Sequence, residues 1–237
     1  MRNGVKIMGI VNVNDDSFVG SSRAAGADAA RRRICKLLDE GADIIDIGAV
    51  SSRPGAAAVS AGEEWSRLAP VLEMVAREFR GYSFSIDTFR ASTVAMAYQT
   101  IGRLTVNDIS CGEWDRAMLP TVGRLGLRYV AMHHQGTFET MHEEYVYENI
   151  TDSVIEYFRD FSDKARDYGI ENWILDPGFG FSKSAPDNLA LLDNLDRLKI
   201  FHRPILAGIS RKRFTAGATA ALEEKAIVHG ATILRTH

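Results

Sequence analysis

The sequence predicts an α/β protein, a (β/α)8 TIM barrel, and three observations predict it. Short β-rich runs alternate with longer amphipathic segments from end to end, which is the pattern of βα units around a parallel sheet. Eight such runs occur with seven helical segments between them, so the last helix of the barrel is absent from this sequence. The polar residues that interrupt the apolar runs fall at or just after their carboxyl ends, where a parallel barrel collects its functional groups. A doubly wound open sheet is the structural alternative, but the chain has no GxGxxG fingerprint. At 237 residues the chain is long enough for one large core, and no repeat, low-complexity tract or composition shift marks a linker. One domain spanning residues 1–237 is expected.

The strands are expected at Val5–Val13, Asp43–Ala49, Tyr82–Thr88, Leu104–Ser110, Arg128–His134, Trp173–Gly178, Pro204–Ser210 and Ala231–His237. Helical patterns lie between them, the clearest over Asp28–Glu40, Glu63–Phe79, Thr88–Thr100 and Thr151–Tyr168. The glycines of "EGAD" and "DYGI" provide stops after two of these. The connections after the first, second and fifth strands are long and polar, as functional loops often are.

Composition narrows the function. A net charge of −3 and a pI near 6.1 give no basic stripe for a phosphate backbone, so nucleic acid is not an expected partner. A local cation cluster for a small phosphorylated ligand remains compatible with that sum. Cys35 and Cys111 lack CxxC or Cys/His spacing and read as inert thiols. The apolar part of "MRNGVKIMGIVNV" is too short to span a membrane and reads as a first strand, so a cytoplasmic protein is expected.

Asn12, Asp46, Asp87, Asn107, Asp176, Lys212, Arg235 and His237 each stand at a strand end. Any one of them has a bland reading as a helix cap or loop hydrogen-bonder, which is favoured for Thr88 and Ser110. The set points instead to a ligand. Asp87, Asn107 and Asp176 can face the N–H donors of a flat nitrogen heterocycle. Arg53, Arg235, Lys212 and His237 suit a phosphate or pyrophosphate. Asn12 and the acids of "NDDS" are oxygen donors of the kind Mg2+ takes together with phosphate and water.

"MGIVNVNDDSF" (Met8 to Phe18), "GADIIDIGAVSSRPGA" (Gly41 to Ala56), "SIDT", "NDIS", "MHHQGTFETM", "LDPGFGF", "NLALL", "GISRK" and "RTH" follow in one order along the chain. In these motifs, over nearly its whole length, the chain resembles the dihydropteroate synthase family. The resemblance implies a TIM barrel, a homodimer, and Mg2+-assisted joining of 4-aminobenzoate to 6-hydroxymethyl-7,8-dihydropterin diphosphate with release of pyrophosphate. By position it implies that Asp87, Asn107, Asp176 and Lys212 hold the pterin, with Asp46 and Met132 lining its pocket. Asn12, Arg53, Arg235 and His237 would serve the pyrophosphate, with Asn12 also a ligand of Mg2+. Phe18, Ser52, Pro54, Phe181 and Ser210 would surround the aminobenzoate. Asp87, Lys212 and Arg53 would carry the catalysis, and Asp87 would favour a methylene cation if departure of pyrophosphate runs ahead of amine attack.

Four departures from the family pattern stand out. Asn14-Asp15 replace Thr-Pro, which removes a rigid φ from the first loop. Val50 replaces Glu, Ser52 replaces Thr, and His134 replaces a usual Met and reads as a loop hydrogen-bonder. Two other functions remain in view. A pterin-dependent methyltransferase would need neither "SRK" nor "SSRPG", and a non-catalytic pterin-binding paralogue would have no use for a pyrophosphate clamp.

Overall fold

Among the described residues, eight strands and seven α-helices alternate along the chain. In the computed structural model, which describes residues 4–13, 23–50, 59–210 and 212–237, the strands are β1 (Lys6–Asn12), β2 (Ile44–Gly48), β3 (Phe84–Asp87), β4 (Thr105–Asp108), β5 (Arg128–Met132), β6 (Trp173–Asp176), β7 (Leu206–Ala207) and β8 (Ile233–Thr236). They form one parallel sheet in the order 6-5-4-3-2-1-8-7. The seam between β6 and β7 closes through a bridge of Leu175 to Ile205, where the Leu175 N–H donates to the Pro204 carbonyl at 2.9 Å. The TIM barrel expected from the sequence is the architecture found.

The helices α1 (Arg23–Asp39), α2 (Ala61–Glu78), α3 (Ala91–Ile101), α4 (Met118–Leu125), α5 (Ile150–Asp167), α6 (Ala185–Asp193) and α7 (Thr219–Val228) follow the first seven strands in turn. Local chemistry sets their starts. Asn149 caps α5 by accepting from the Thr151 and Asp152 N–H groups, and Ser184 and Asp187 form a reciprocal capping box on α6. Most strands are a residue or two shorter at one or both ends than the sequence pattern and α1 begins at Arg23 rather than Asp28, while two further differences have a local cause. Helix α3 begins at Ala91 rather than Thr88, because Arg90 is extended and Thr88 accepts the Arg90 N–H in a local turn. The seventh strand shrinks to Leu206–Ala207, since Pro204 has no N–H to give and the Lys212 N–H closes a turn on Ile209.

Side-chain alternation divides the interior into two layers. Ile45, Ile47, Ile86, Val106, Tyr129 and Leu175 face outward and pack with Leu72, Val94, Phe158 and Leu191 of the helices. Met8, Ile44, Val130, Ile174, Leu206 and Ile233, from six different strands, fill the barrel itself as a separate cluster. Each such burial stabilises the fold by roughly 2 kcal/mol. This plug is also the floor of what lies above it.

Candidate active site

A strand returns to the same face every second residue, so the layer above the plug follows from its members. Two residues beyond Ile44 is Asp46; beyond Ile233, Arg235; beyond Ile174, Asp176; beyond Val130, Met132. On β3 and β4, Asp87 and Asn107 follow Ser85 and Thr105 in the same way. Strand register sets them at a common height: Asp87 lies beside Asn107, and Met132 beside Asp176. An apolar floor therefore carries three acids, an amide and a guanidinium toward one end of the barrel.

Arg235 joins this layer together. Its Nε donates to Asp46 Oδ2 at 2.7 Å and its Nη2 to Asp87 Oδ2 at 2.6 Å, while Asn107 Nδ2 donates to the same Asp46 oxygen at 3.0 Å. Asp46 is fully buried, and its other oxygen accepts no hydrogen bond among the described residues. Burial opposes the Arg235 charge, but Asp46 and Asp87 outweigh it and hold the pKa above the usual arginine value. Burial likewise pushes the Asp87 carboxyl up to about 7, with Arg235 pulling it down and Asp46 pushing it further up. Gly48 keeps this packing open, because a Cβ there would stand 3.0 Å from Asp87 Cβ.

The other half of the rim is built differently. Asp176 accepts the Gly178 N–H at 2.8 Å, and burial raises its pKa against that bond and the nearby cations Arg235 and Lys212. Lys212 lies with its Nζ 3.9 Å from the centre of the Phe181 ring, a cation–π contact, and Phe181 also stacks on His142 at 5.2 Å. Burial and Arg235 lower the Lys212 pKa to about 8, with Asp176 and Asp87 holding it up. Gly180, at φ +77°, makes room for this lysine; a Cβ would come within 2.9 Å of Lys212 Cδ. Met132 and Phe181 pack together with Ile109 and Met141 in a small apolar cluster edged by Phe89, Trp114 and Phe138.

Of the residues expected from the sequence, Asp46, Asp87, Asn107, Asp176, Met132 and Arg235 share the inward layer, with Lys212 and Phe181 at its edge. His237 approaches Ser210 Oγ at 3.3 Å beside them. Asn12 is exposed at the last position of β1. Phe18, Ser52, Arg53 and Pro54 lie outside the described residues, as do Asn14 and Asp15. Arg67 donates to the Ala49 carbonyl and Arg90 to the Val59 carbonyl, so the chain is tied to the barrel on both sides of residues 51–58. Among the described residues no group of three or more His, Cys, Asp or Glu side chains is arranged to hold a metal. The exposed amide of Asn12 offers one oxygen donor of the kind Mg2+ takes.

One expectation is corrected. His134 is no loop hydrogen-bonder: it is buried, neither ring nitrogen has a hydrogen-bond partner among the described residues, and it packs edge-on against Trp114 at 5.3 Å. Thr88 and Ser110 make loop hydrogen bonds, one of the two forms of their bland reading, Ser110 donating to Asp108 at 2.6 Å. Lys183 and Asn188 escaped the sequence reading altogether, although a lysine inside "GFGFSKS" next to an apolar strand was a signal.

A parallel barrel with an acid, amide and guanidinium layer on its carboxyl side, opening beside an aromatic wall, defines a binder of polar flat ligands. The chain belongs to the dihydropteroate synthase family of pterin-binding enzymes: the family model described as "Pterin binding enzyme" matches residues 8–237. It is 38% identical to the dihydropteroate synthase of Haemophilus influenzae, covering 98% of this chain and 88% of that one. It is also 38% identical to the mitochondrial folate synthesis bifunctional protein of Pisum sativum; this chain spans 50% of that relative's length. The dihydropteroate synthase of Xanthomonas albilineans, solved with 4-aminobenzoic acid, superposes with a TM-score of 0.88 at 34% identity, covering 100% of this chain and 88% of that one.

Proposed function

We propose that the chain, as one pterin-binding barrel domain, condenses 4-aminobenzoate with 6-hydroxymethyl-7,8-dihydropterin diphosphate, releasing pyrophosphate and forming 7,8-dihydropteroate. The observation that supports this best is the inward polar layer, whose acceptors and donors suit the guanidine-like edge of a pterin and whose open side meets Phe181 and Lys212. In this reading Asp87, Asn107 and Asp176 bind the ring with Asp46 and Met132 around it. Lys212 donates to the ring from the end of β7. Phe181 and Ser210, with Phe18, Ser52 and Pro54, are assigned in this reading to the aminobenzoate pocket, and the Xanthomonas relative was solved with 4-aminobenzoic acid.

The chemistry is alkyl transfer to nitrogen. The methylene C–O bond to the diphosphate breaks, a C–N bond to the arylamine forms, and the amine proton is lost afterwards. Two Arg235 N–H groups hold Asp46 and Asp87, and the remaining donors of its guanidinium are suited to a diphosphate oxygen. Arg53 and His237 supply further positive charge and hydrogen bonds to the leaving group. Mg2+, when bound at Asn12, supplies charge neutralisation of the departing pyrophosphate. Asp87 in its ionised form stabilises positive charge developing on the methylene carbon, which favours early departure of pyrophosphate. The proposal extends to a cytoplasmic homodimer. Among the described residues, no helix is long and apolar enough to cross a membrane.

The deciding experiment is pyrophosphate release by the purified protein given the dihydropterin diphosphate and Mg2+, with and without 4-aminobenzoate, beside an Asp87→Asn variant. Release that requires aminobenzoate and falls on the order of 100-fold in the variant is the expected result. Pterin binding without release would favour a non-catalytic paralogue instead.

A further inference from the structure

Lys183 lies in the loop after β6, is 6% exposed, and among the described residues has no carboxylate within hydrogen-bonding distance. Its ammonium instead donates to three backbone carbonyls: Gly178 at 3.0 Å, Phe181 at 3.0 Å and, more loosely, His133 at 3.4 Å. An ammonium has three N–H donors, so the count closes. These oxygens belong to two loops, since His133 follows β5 while Gly178 and Phe181 follow β6. The same loops touch elsewhere. A Cβ on Gly178 would fall 2.0 Å from the His133 oxygen, and Ser182 Oγ accepts the Gln135 N–H at 2.9 Å and bonds the Gln135 carbonyl at 2.8 Å. Ser182 itself sits at φ +51°, an uncommon conformation for a residue with a Cβ, which fits a turn over-determined by its surroundings. Asn188, 1% exposed, closes the back of the loop by accepting the Gly180 N–H at 2.7 Å and donating to the Lys183 carbonyl at 3.1 Å.

We propose that Lys183 is a positioning residue for the second substrate: by gathering the carbonyls of Gly178, Phe181 and His133 it fixes the Phe181 ring against Lys212, and so sets the aminobenzoate pocket without touching either substrate. This rests on the synthase reading. A lysine buried for stability alone would normally be paired with a carboxylate, because a bare buried ammonium is costly. Here its hydrogen-bond partners among the described residues form the backbone frame of the aromatic wall. Burial draws its pKa down to about 7, Asp176 and Asp187 holding it up and Lys212 pushing it lower.

The test is steady-state dihydropteroate formation by the full chain and its Lys183→Met and Lys183→Arg variants, with calorimetric titration of the dihydropterin diphosphate and thermal unfolding alongside. Lys183→Met should raise the KM for 4-aminobenzoate about tenfold while leaving the pterin affinity within about twofold and kcat within about threefold, and Lys183→Arg should recover most of the KM. An unchanged KM overturns the inference. So does a parallel loss of pterin affinity, turnover and melting temperature, which would mark a plain structural staple. If Lys183→Met does not fold, the same split is read from Lys183→Gln, and failure of both to fold also overturns it. Absence of dihydropteroate from the wild-type reaction would instead overturn the synthase reading, and this inference with it.

Discussion

The two halves of the barrel rim reach order by different means. On the side of β2, β3, β4 and β8, charged side chains hold one another: Arg235 reaches Asp46 and Asp87, partners 189 and 148 residues away in sequence. On the side of β5, β6 and β7, Lys183 is held by carbonyls and Lys212 lies against an aromatic face. The first half is a fixed electrostatic layer, in which removing any one member strands another. The second is a backbone frame, in which a side chain can leave at the expense of shape rather than of charge balance. The proposed condensation would have use for both, a charge-matched seat for the pterin and a shaped wall for the amine.

The largest expected effect breaks the first half. Arg235→Ala would leave Asp46 and Asp87 facing each other without a cation. Breaking a largely buried pair costs about 3 kcal/mol, at the low end because the Arg235 side chain is 24% exposed. Urea unfolding should register that loss, and turnover should fall on the order of 100-fold. A variant as stable as the wild type would mean that the two acids are neutral without their partner.

The next effect separates the halves by pH. Asp87, raised to about 7, must be ionised to favour cationic charge, and Lys212, lowered to about 8, donates best while protonated. The rate under subsaturating substrate should therefore rise through about 7 and fall above about 8. Lys212→Met should lower the rate about tenfold and abolish the alkaline limb alone. Stability has its own signature from Lys212. Its folded pKa lies below the value of 10.5 it would have in the unfolded chain, so its burial penalty is full below about 8 and is relieved as the pH climbs from there toward 10.5. Loss of both limbs in Lys212→Met would indicate one coupled titration spanning the two halves.

A smaller effect tests the boundary between active layer and scaffold within one strand. Asn107 faces the barrel interior, whereas its neighbour Asp108 accepts from the Ser110 N–H and hydroxyl, the Gly112 N–H and the Tyr129 hydroxyl. Asp108→Asn forces an amide donor into that set of donors and should cost about 2 kcal/mol in chemical unfolding, while KM and kcat of the folded fraction stay put. A changed KM would place Asp108 in the active layer after all.

These contrasts also mark what the sequence could reveal. The alternation of two along a strand and the carboxyl-end rule were legible, and they brought Asp46, Asp87, Asn107, Asp176, Lys212 and Arg235 into one neighbourhood. The partner of each was not legible, because a guanidinium assigned to pyrophosphate by resemblance can equally bridge two acids from strands whose register is set only by barrel closure. Lys183 was invisible for another reason: its partners are carbonyl oxygens, which every residue carries and no residue type announces. Pro204 concealed the true length of β7, where apolar residues continue after the ladder has ended.

His134 gives the gentlest contrast, since it lies behind the aromatic edge of the second half and belongs to neither charge network. Both ring nitrogens are buried without a hydrogen bond among the described residues, and a Glu113 oxygen lies 3.8 Å from Nε2. Burial lowers its pKa to about 4 from an ordinary 6.5, so the folded state holds it neutral where the unfolded chain would take a proton. Its contribution to stability is therefore intact above about 6.5 and is lost as the pH falls toward 4. Methionine, the residue usual in the family, fills a similar volume with no polar atom to satisfy. His134→Met should accordingly gain up to about 1 kcal/mol at neutral pH, by relieving an unmade hydrogen bond, and more at pH 5. Thermal unfolding at the two pH values checks this. A variant that loses stability at both would show that the imidazole is satisfied by a partner, such as a bound water, that makes histidine the better fit at this position.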